Sequence, residues 1–108
     1  MTIKWVKVDP LVMNGEPFCY GTRLTVRQLL ELRRSGYGLT ELIKDHPELR
    51  RLGIAAAYAY AAGNRDRYAE FFEPDGSLAG PGYSEDEAAD LPAQYQVPGI
   101  VVKARTAA

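Results

Sequence analysis

Helix start and stop signals follow one another at short intervals between Thr25 and Pro47, and this spacing limits what the chain can fold into. Thr25 and Gln28 have the spacing of a capping box, so a helix is predicted to begin directly after Thr25. Gly36 predicts the end of that helix. Thr40 is expected to cap a second helix, which must end before Pro47. The segment therefore predicts two short helices rather than one long helix.

Three helices are predicted in all. The first covers residues 26–35, whose apolar residues recur at helical spacing, and the second covers about 40–45. The third begins near 48–51 and continues through the alanine-rich residues 54–62, since alanine strongly favours helix. The residues of the third helix expected to face the core are Leu49, Leu52, Ala56 and Ala59.

Two short strands are predicted before the helices. Residues 3–8 alternate loosely between apolar and polar side chains, and Asp9-Pro10 ends this strand because proline cannot donate to a strand ladder. Asn14-Gly15 is a strong turn signal, and residues 17–20 form the second predicted strand. The expected result is an N-terminal β-hairpin or wing.

Composition changes at about residue 68. Residues 1–67 carry 11 Lys and Arg against 7 Asp and Glu, whereas residues 68–108 carry 2 against 7. The second part is rich in Pro and Gly and has little periodicity, apart from a helical turn predicted after Ser84 and a β-branched run at 99–103. We predict a head (residues 1–67) that contains the hairpin and the three helices. The rest is an acidic arm (residues 68–108) for partner binding or dimerisation.

The chain lacks the features of several other protein classes. No apolar run is long enough to span a bilayer, and the first ten residues lack the apolar core of a signal peptide, so we expect a soluble cytoplasmic protein. Cys19 has no second cysteine to pair with and is predicted to be a small buried side chain. His46 has no clustered ligand partner and is predicted to be a cap or packing residue. We therefore expect no metal, no cofactor, no small-molecule substrate and no enzyme activity.

Several short motifs, in this order and spacing, resemble the bacterial family called domain of unknown function 433. They are Asp9-Pro10, Gly15-Glu16-Pro17, Gly21-Thr22-Arg23-Leu24-Thr25-Val26, Gly36, His46-Pro47-Glu48-Leu49 and the run that begins at Ile54. The resemblance covers about residues 3–62 and implies a homeodomain-like or winged fold. The fold class is thus expected to be mainly α, with a small N-terminal β-hairpin, a three-helix helix-turn-helix core and a C-terminal extension.

The resemblance also implies a function. Members of the family are regarded as antitoxins similar to VapB-type proteins, which neutralise a PIN-like ribonuclease. We therefore expect a DNA-binding antitoxin and autorepressor that binds operator DNA as a homodimer and a PIN-like toxin through the arm. The alternative is a protein-interaction module, or a stand-alone transcriptional regulator, with the same fold and no toxin partner.

The candidate DNA-binding residues centre on the start of the third helix. Arg50 and Arg51 lie where main-chain N–H groups favour anions, and two adjacent guanidiniums there could contact phosphates or a guanine edge. Arg50 also stands where the family usually has a capping Thr or Ser. A solvated surface pair is the alternative. The other candidates are Arg23, Arg27 and Tyr58, although Arg23 could instead hydrogen-bond neighbouring carbonyls.

Arg33 and Arg34, near the end of the first helix, have two interpretations. They could contact phosphate, or they could simply be cations that interact favourably with the helix dipole.

The candidate partner-binding residues are spaced along the arm. A weakly structured segment with apolar anchors can fold onto a partner, and residues 97–103 could add a strand to a partner's sheet. Lys103 or Arg105 would then reach the acidic metal site of a PIN-like nuclease. The alternative is that the arm folds back and residues 99–103 pair with residues 3–8 of the same chain or of a dimer mate. The full set is Phe71, Phe72, Tyr83, Leu91, Tyr95, Val97, Ile100, Lys103 and Arg105.

Overall fold

The structure, a computed structural model, describes residues 5–11 and 15–103. This part of the chain is mainly helical, with four α-helices and one two-stranded sheet. The strands are β1 (Val6–Lys7) and β2 (Phe18–Cys19), and the helices are α1 (Val26–Arg34), α2 (Leu39–Asp45), α3 (Arg51–Ala62) and α4 (Glu85–Ala88). Two 3-10 turns cover Ala69–Phe71 and Ala93–Tyr95. None of the helices described combines the length and apolarity needed to cross a membrane.

The N-terminal hairpin is confirmed, although its strands are shorter than predicted. β1 and β2 pair in antiparallel fashion, with Val6 opposite Cys19. Ile3 and Asn14, on which part of the prediction depended, lie outside the described residues. The hairpin packs closely against α3. A Cβ atom added to Gly53 of this helix would lie only 3.4 Å from the ring of Trp5.

Both predicted ends of α1 are confirmed. Gln28 donates its backbone N–H to the Thr25 hydroxyl at 3.0 Å, and Thr25 donates its N–H to the Gln28 carboxamide at 2.9 Å. After the helix, Gly36 has a φ of +103°, and its N–H donates to the carbonyl of Arg33. The N–H of Tyr37 donates to the carbonyl of Leu32, and these two hydrogen bonds together form a Schellman motif.

The start of α2 differs from the prediction. The N-cap is Gly38, and Thr40 lies exposed inside the first turn. No side chain caps this helix. Its predicted end is confirmed, since α2 ends at Asp45 directly before His46.

Helix α3 lies at the centre of the fold, where seven of its twelve residues are buried. It contacts α1, both strands and the 3-10 turn at Ala93–Tyr95. The predicted inward face is only partly right, because Leu52 and Ala59 are half-buried. The fully buried positions include Ile54, Ala55, Ala57, Tyr58 and Ala61.

The arm folds back on the head and shares its core. Buried apolar residues of the head and the arm form one continuous cluster. The arm residues that are buried are Tyr68, Phe71, Leu78, Ala79, Tyr83, Ala88, Leu91, Ile100 and Val101. In the structure the head and the arm therefore share one hydrophobic core, which holds them together.

The main chain near the end of the arm pairs within the arm itself. Tyr83 donates its N–H to the Val101 carbonyl at 2.9 Å, and Lys103 donates its N–H to the Tyr83 carbonyl at 2.9 Å. The carbonyl of Val102 accepts from Gly99 at 2.8 Å. The predicted strand at 99–103 is thus a turn with isolated bridges, and these main-chain groups are not free to extend another sheet.

Two tyrosines of the arm lead to opposite predictions. The Tyr83 hydroxyl donates to the carbonyl of Arg51, whereas the Tyr68 hydroxyl is buried with no partner among the described residues. We expect Tyr83→Phe to lower the free energy of unfolding by about 1 kcal/mol, because the part-buried hydrogen bond from this hydroxyl is lost. Tyr68→Phe is expected to leave it unchanged or raise it slightly. Urea denaturation measures both, and a larger loss for Tyr68→Phe would contradict the assignment.

Candidate functional site

The start of α3 presents two exposed guanidiniums. Arg50 is the N-cap residue, with an extended backbone and no side-chain cap, and Arg51 is the first helical residue. The first turn of α3 contains no acidic residue. The free N–H groups and the positive end of the helix dipole therefore lie beside two exposed cations, an arrangement that attracts anions.

Arg51 is also tied to the arm. Its carbonyl accepts from Tyr83, and its Nη2 donates to the carbonyl of Glu87. The carboxylate of Glu87 accepts instead from the N–H of Ser84 at 2.9 Å, completing the predicted helix start at Ser84 as a capping box. Among the described residues Arg51 forms no ion pair with a carboxylate. Its charge is therefore not neutralised by a partner within this part of the chain.

Arg27 does not join this pair. Arg27 forms an ion pair with Glu70, and its Nη2 donates to the Arg67 carbonyl at 2.7 Å, which places it near the opposite end of α3. Arg23 is exposed in the turn before α1. The five predicted residues thus do not form one continuous basic face.

Tyr58 is buried, with 2% of its surface exposed. Its ring lies 4.5 Å from the guanidinium carbon of Arg33 and meets Tyr83 edge to face. Burial raises the pKa of Tyr58 to about 12. The arm covers the face of α3 that carries Tyr58, so this side chain is not exposed to DNA in the structure.

Arg33 lies inside the protein, which neither interpretation of its sequence position predicts. It is fully buried, and its Nη1 and Nη2 donate to the carbonyls of Ile100 at 2.5 Å and Leu78 at 3.3 Å. Its Nε has no partner among the described residues. Desolvation lowers the pKa of this guanidinium, and the Tyr58 ring beneath it partly compensates. Arg33 thus links α1 to the arm and is not available to a phosphate.

Four of the nine predicted partner-binding residues are buried in the protein's own core. Phe71, Tyr83, Leu91 and Ile100 are buried, which corrects the prediction that they wait for a partner. The arm buries them because α1 and α3 leave an apolar face that would otherwise meet water. The half-buried members of the set are Phe72, Tyr95, Val97 and Lys103.

The two basic residues at the end of the set have separate outcomes. Lys103 donates its Nζ to the carbonyl of Leu78 at 3.2 Å, so it is held against the arm. Arg105 lies outside the described residues. The predicted contact of these side chains with a nuclease metal site stays a prediction.

A groove opens on the outer side of the arm. It has a volume of about 230 Å³ and is lined by Glu85, Ala88, Ala89, Gln96, Pro98 and Val102. These residues come from α4 and from two later segments that the main chain brings beside it. The sequence analysis does not identify the groove, because no single segment contains more than half of its lining residues. The helical turn predicted after Ser84 lies in it.

Cys19 and His46 take the structural positions predicted for them. Cys19 is buried, and burial raises the pKa of its thiol to about 12, which keeps it protonated at neutral pH. His46 is the residue that follows α2, and its Nδ1 lies 3.8 Å from Glu48 Oε1. Within residues 5–11 and 15–103, no three His, Cys, Asp or Glu side chains are grouped so that they could hold a metal ion.

Comparison with known proteins identifies the family. Residues 6–61 match the family described as Protein of unknown function (DUF433), and since they make up just over half of the chain, the chain belongs to this family. No curated protein and no solved structure matches the chain significantly. The match ends within α3, so the arm and its groove lie outside it.

Proposed function

We propose that this chain is a helix-turn-helix regulator of the toxin–antitoxin type. It binds operator DNA through the start of α3 and neutralises a PIN-like ribonuclease toxin through a surface of the arm. The observation that supports DNA binding best is the exposed pair Arg50 and Arg51 beside the N–H groups of α3, with no acidic residue in the first turn.

The connections between the helices agree with this proposal. Four residues separate α1 from α2, and five separate α2 from α3. Short turns of this kind are typical of helix-turn-helix proteins, in which the N-terminal residues of the last helix contact DNA. The start of α3 is the end that carries the two arginines.

The rest of α3 offers little for reading bases. Beyond Arg51, the side chains that remain partly exposed are apolar or belong to Tyr60: Leu52, Ala59, Tyr60 and Ala62. Phosphate contacts should therefore dominate the affinity of one protomer, and these contacts carry no sequence information. We accordingly propose a homodimer, because paired half-sites multiply the specificity of a weak contact. Size-exclusion chromatography with light scattering measures this state directly.

The double substitution Arg50→Ala and Arg51→Ala tests DNA binding. We expect it to weaken binding to DNA from upstream of the chain's own gene by at least about tenfold. The slope of log affinity against log salt should also become shallower by about 1 to 2, since each lost phosphate contact removes about one released counterion. Fluorescence anisotropy at several salt concentrations measures both quantities.

Arg65→Ala is the control for loss of positive charge, with the effects compared per charge removed. Arg65 is exposed beyond the other end of α3, a helix of 12 residues that is about 18 Å long at about 1.5 Å of rise per residue. Its loss should affect DNA affinity much less than the loss of Arg50 and Arg51. Equal losses in the two variants would show that binding follows net charge and would remove α3 from the site.

A second candidate function is a protein-interaction module without DNA affinity. The contact between Arg51 and α4 favours it, because the acidic residues Glu85 and Asp86 of that helix would repel a phosphate backbone nearby. If the wild-type chain shows no preference for the upstream DNA over a scrambled duplex, this second function replaces the first.

Toxin neutralisation must be tested with point substitutions in the complete chain. Removing residues 80–108 would also remove the core residues Tyr83, Leu91, Ile100 and Val101. Loss of function in such a truncation would therefore report unfolding of the head. An exposed part of the arm is needed instead, and the groove beside α4 provides one.

A further inference from the structure

The groove beside α4 joins an apolar floor to an acidic edge. Four of its six lining residues are apolar, namely Ala88, Ala89, Pro98 and Val102. Glu85 lines it as well, and the exposed residues Asp86 and Asp90 flank the lining residues along the chain. Apolar surface next to fixed negative charge suits a ligand that is itself apolar on one side and basic at its border.

The two sides of α4 have separate roles. Glu87 lies on the side that meets Arg51 of the head, and its carboxylate is used in the capping box. Glu85, Ala88 and Ala89 lie on the other side, where they line the groove. Glu85 forms no ion pair with any described residue. The negative charge at the groove is therefore not neutralised within the part of the chain that the structure describes.

The polar groups inside the groove are mostly committed to the fold. Gln96 donates its Nε2 to the carbonyls of Ala88 and Leu91, at 3.1 Å and 2.8 Å, which fixes its carboxamide. Its Oε1 makes no hydrogen bond to the described residues and is left to accept one. The basic residue that follows the groove, Lys103, is held at Leu78. A partner must therefore bring the positive charge and a donor.

We propose that this groove binds a basic amphipathic segment of a protein partner, with aliphatic side chains on the floor and Lys or Arg beside Glu85. Its volume of about 230 Å³ corresponds to roughly seven waters at about 30 Å³ each. That is below the range of about 300–1,000 Å³ for small-molecule pockets, and it suits one or two aliphatic side chains. A nucleic acid is disfavoured because the acidic edge repels phosphate.

This inference rests on the proposed function in that the arm has a protein partner, and it assigns the surface and the chemistry of that contact. The groove lies on the arm, outside the part of the chain that matches the family. DNA affinity through Arg50 and Arg51 does not depend on it.

The test uses the complete chain, labelled with ¹⁵N, and a synthetic helical peptide with leucine on one face and lysine on the other. We expect saturable amide shift changes concentrated at Ala88, Ala89, Gln96 and Val102. A peptide with glutamate in place of lysine should cause no saturable change. Affinity for the lysine peptide should fall as salt is added, since exposed charges are screened.

Two substitutions separate the charge from the apolar floor. Glu85→Gln should weaken binding of the lysine peptide by about two- to fivefold, the range of an exposed ion pair. Glu73→Gln removes an exposed charge outside the groove and should leave this binding unchanged. Ala89→Trp fills the groove from an exposed position and should abolish saturable binding. Ala69→Trp, at an exposed alanine elsewhere on the arm, should leave binding unchanged.

Several outcomes would overturn the proposal. They are shift changes centred elsewhere, equal binding of the glutamate peptide, unchanged binding by Ala89→Trp, or no saturable change up to millimolar peptide. The results also separate this inference from the proposed function. Toxin neutralisation that survives Ala89→Trp would overturn the groove alone, whereas peptide binding without any toxin neutralisation would overturn the antitoxin function alone.

Discussion

Gly80→Ala is expected to lower the free energy of unfolding by about 3 to 5 kcal/mol, from backbone strain and steric overlap together. Gly80 has a φ of +94°, a region that residues with a Cβ atom rarely adopt. A Cβ atom there would lie 2.0 Å from the carbonyl oxygen of Arg33 and 2.6 Å from its carbonyl carbon. Main-chain atoms of α1 cannot move aside cheaply, so the arm would have to lift from the helix.

Gly36→Ala separates strain from steric overlap. Gly36 has a similarly positive φ of +103°, but a Cβ atom there would meet nothing within 4 Å. It should therefore cost only the backbone term, about 1 to 2 kcal/mol. Urea denaturation of both variants gives the difference, and equal losses would show that the arm does not press on α1 at Gly80.

Arg33→Ala is the second large effect that we expect, again a loss of about 3 to 5 kcal/mol. The substitution leaves a cavity in the core and removes the donors to the carbonyls of Ile100 and Leu78. The carbonyl of Leu78 still accepts a hydrogen bond from Lys103 in this variant. The loss therefore affects the carbonyl of Ile100 more. Buried carbonyls without donors carry a desolvation penalty. Chemical denaturation monitored by the fluorescence of Trp5 is a suitable measurement.

Two further variants show which property of Arg33 matters. Arg34→Ala changes the same charge one residue later, where the side chain is exposed and stacks on Phe71 at 4.6 Å, and it should cost no more than about 1 kcal/mol. Arg33→Met keeps most of the volume and removes the buried charge. A stability for Arg33→Met equal to that of the wild type would show that packing, and not the forked hydrogen bonding, holds the arm to α1.

The parts of the fold that were predicted correctly depend on residues close together in the chain. The predicted capping box at Thr25 and the predicted helical turn after Ser84 each involve residues only three positions apart, and the Schellman motif at Gly36 uses a similarly short span. Such local patterns form wherever the helix forms. Thr40 was predicted wrongly even at this range, because α2 already begins at Leu39, with the extended Gly38 as its N-cap.

The buried face of α3 was harder to predict. Its sequence from Ile54 to Ala62 is apolar or aromatic on every side, so periodicity cannot distinguish the inner face from the outer. What covers the helix decides the matter. The hairpin covers it at Gly53, and the arm covers it at Tyr58.

The two candidate sites differ in the same way: one depends on neighbouring residues and the other on residues far apart in the chain. Arg50 and Arg51 were identified from their place at a helix start, and their exposure agrees with it. The groove required Glu85, Gln96 and Val102 to meet, which depends on how the arm turns back on itself. No pattern within a short window of the sequence contains that information.

By itself, then, the sequence determined the short helices and the capping box of α1, since these depend on neighbours a few residues away. It also determined the uneven distribution of charge and indicated the hairpin. Only the tertiary structure decided that Arg33 is buried while Arg34 is exposed, because the carbonyls that receive Arg33 lie 45 and 67 residues further along the chain. Similar long-range contacts make the arm, which was predicted to bind a partner, part of the core. The physical reason is that burial of apolar surface favours any covering segment of the right shape, whatever its distance in sequence.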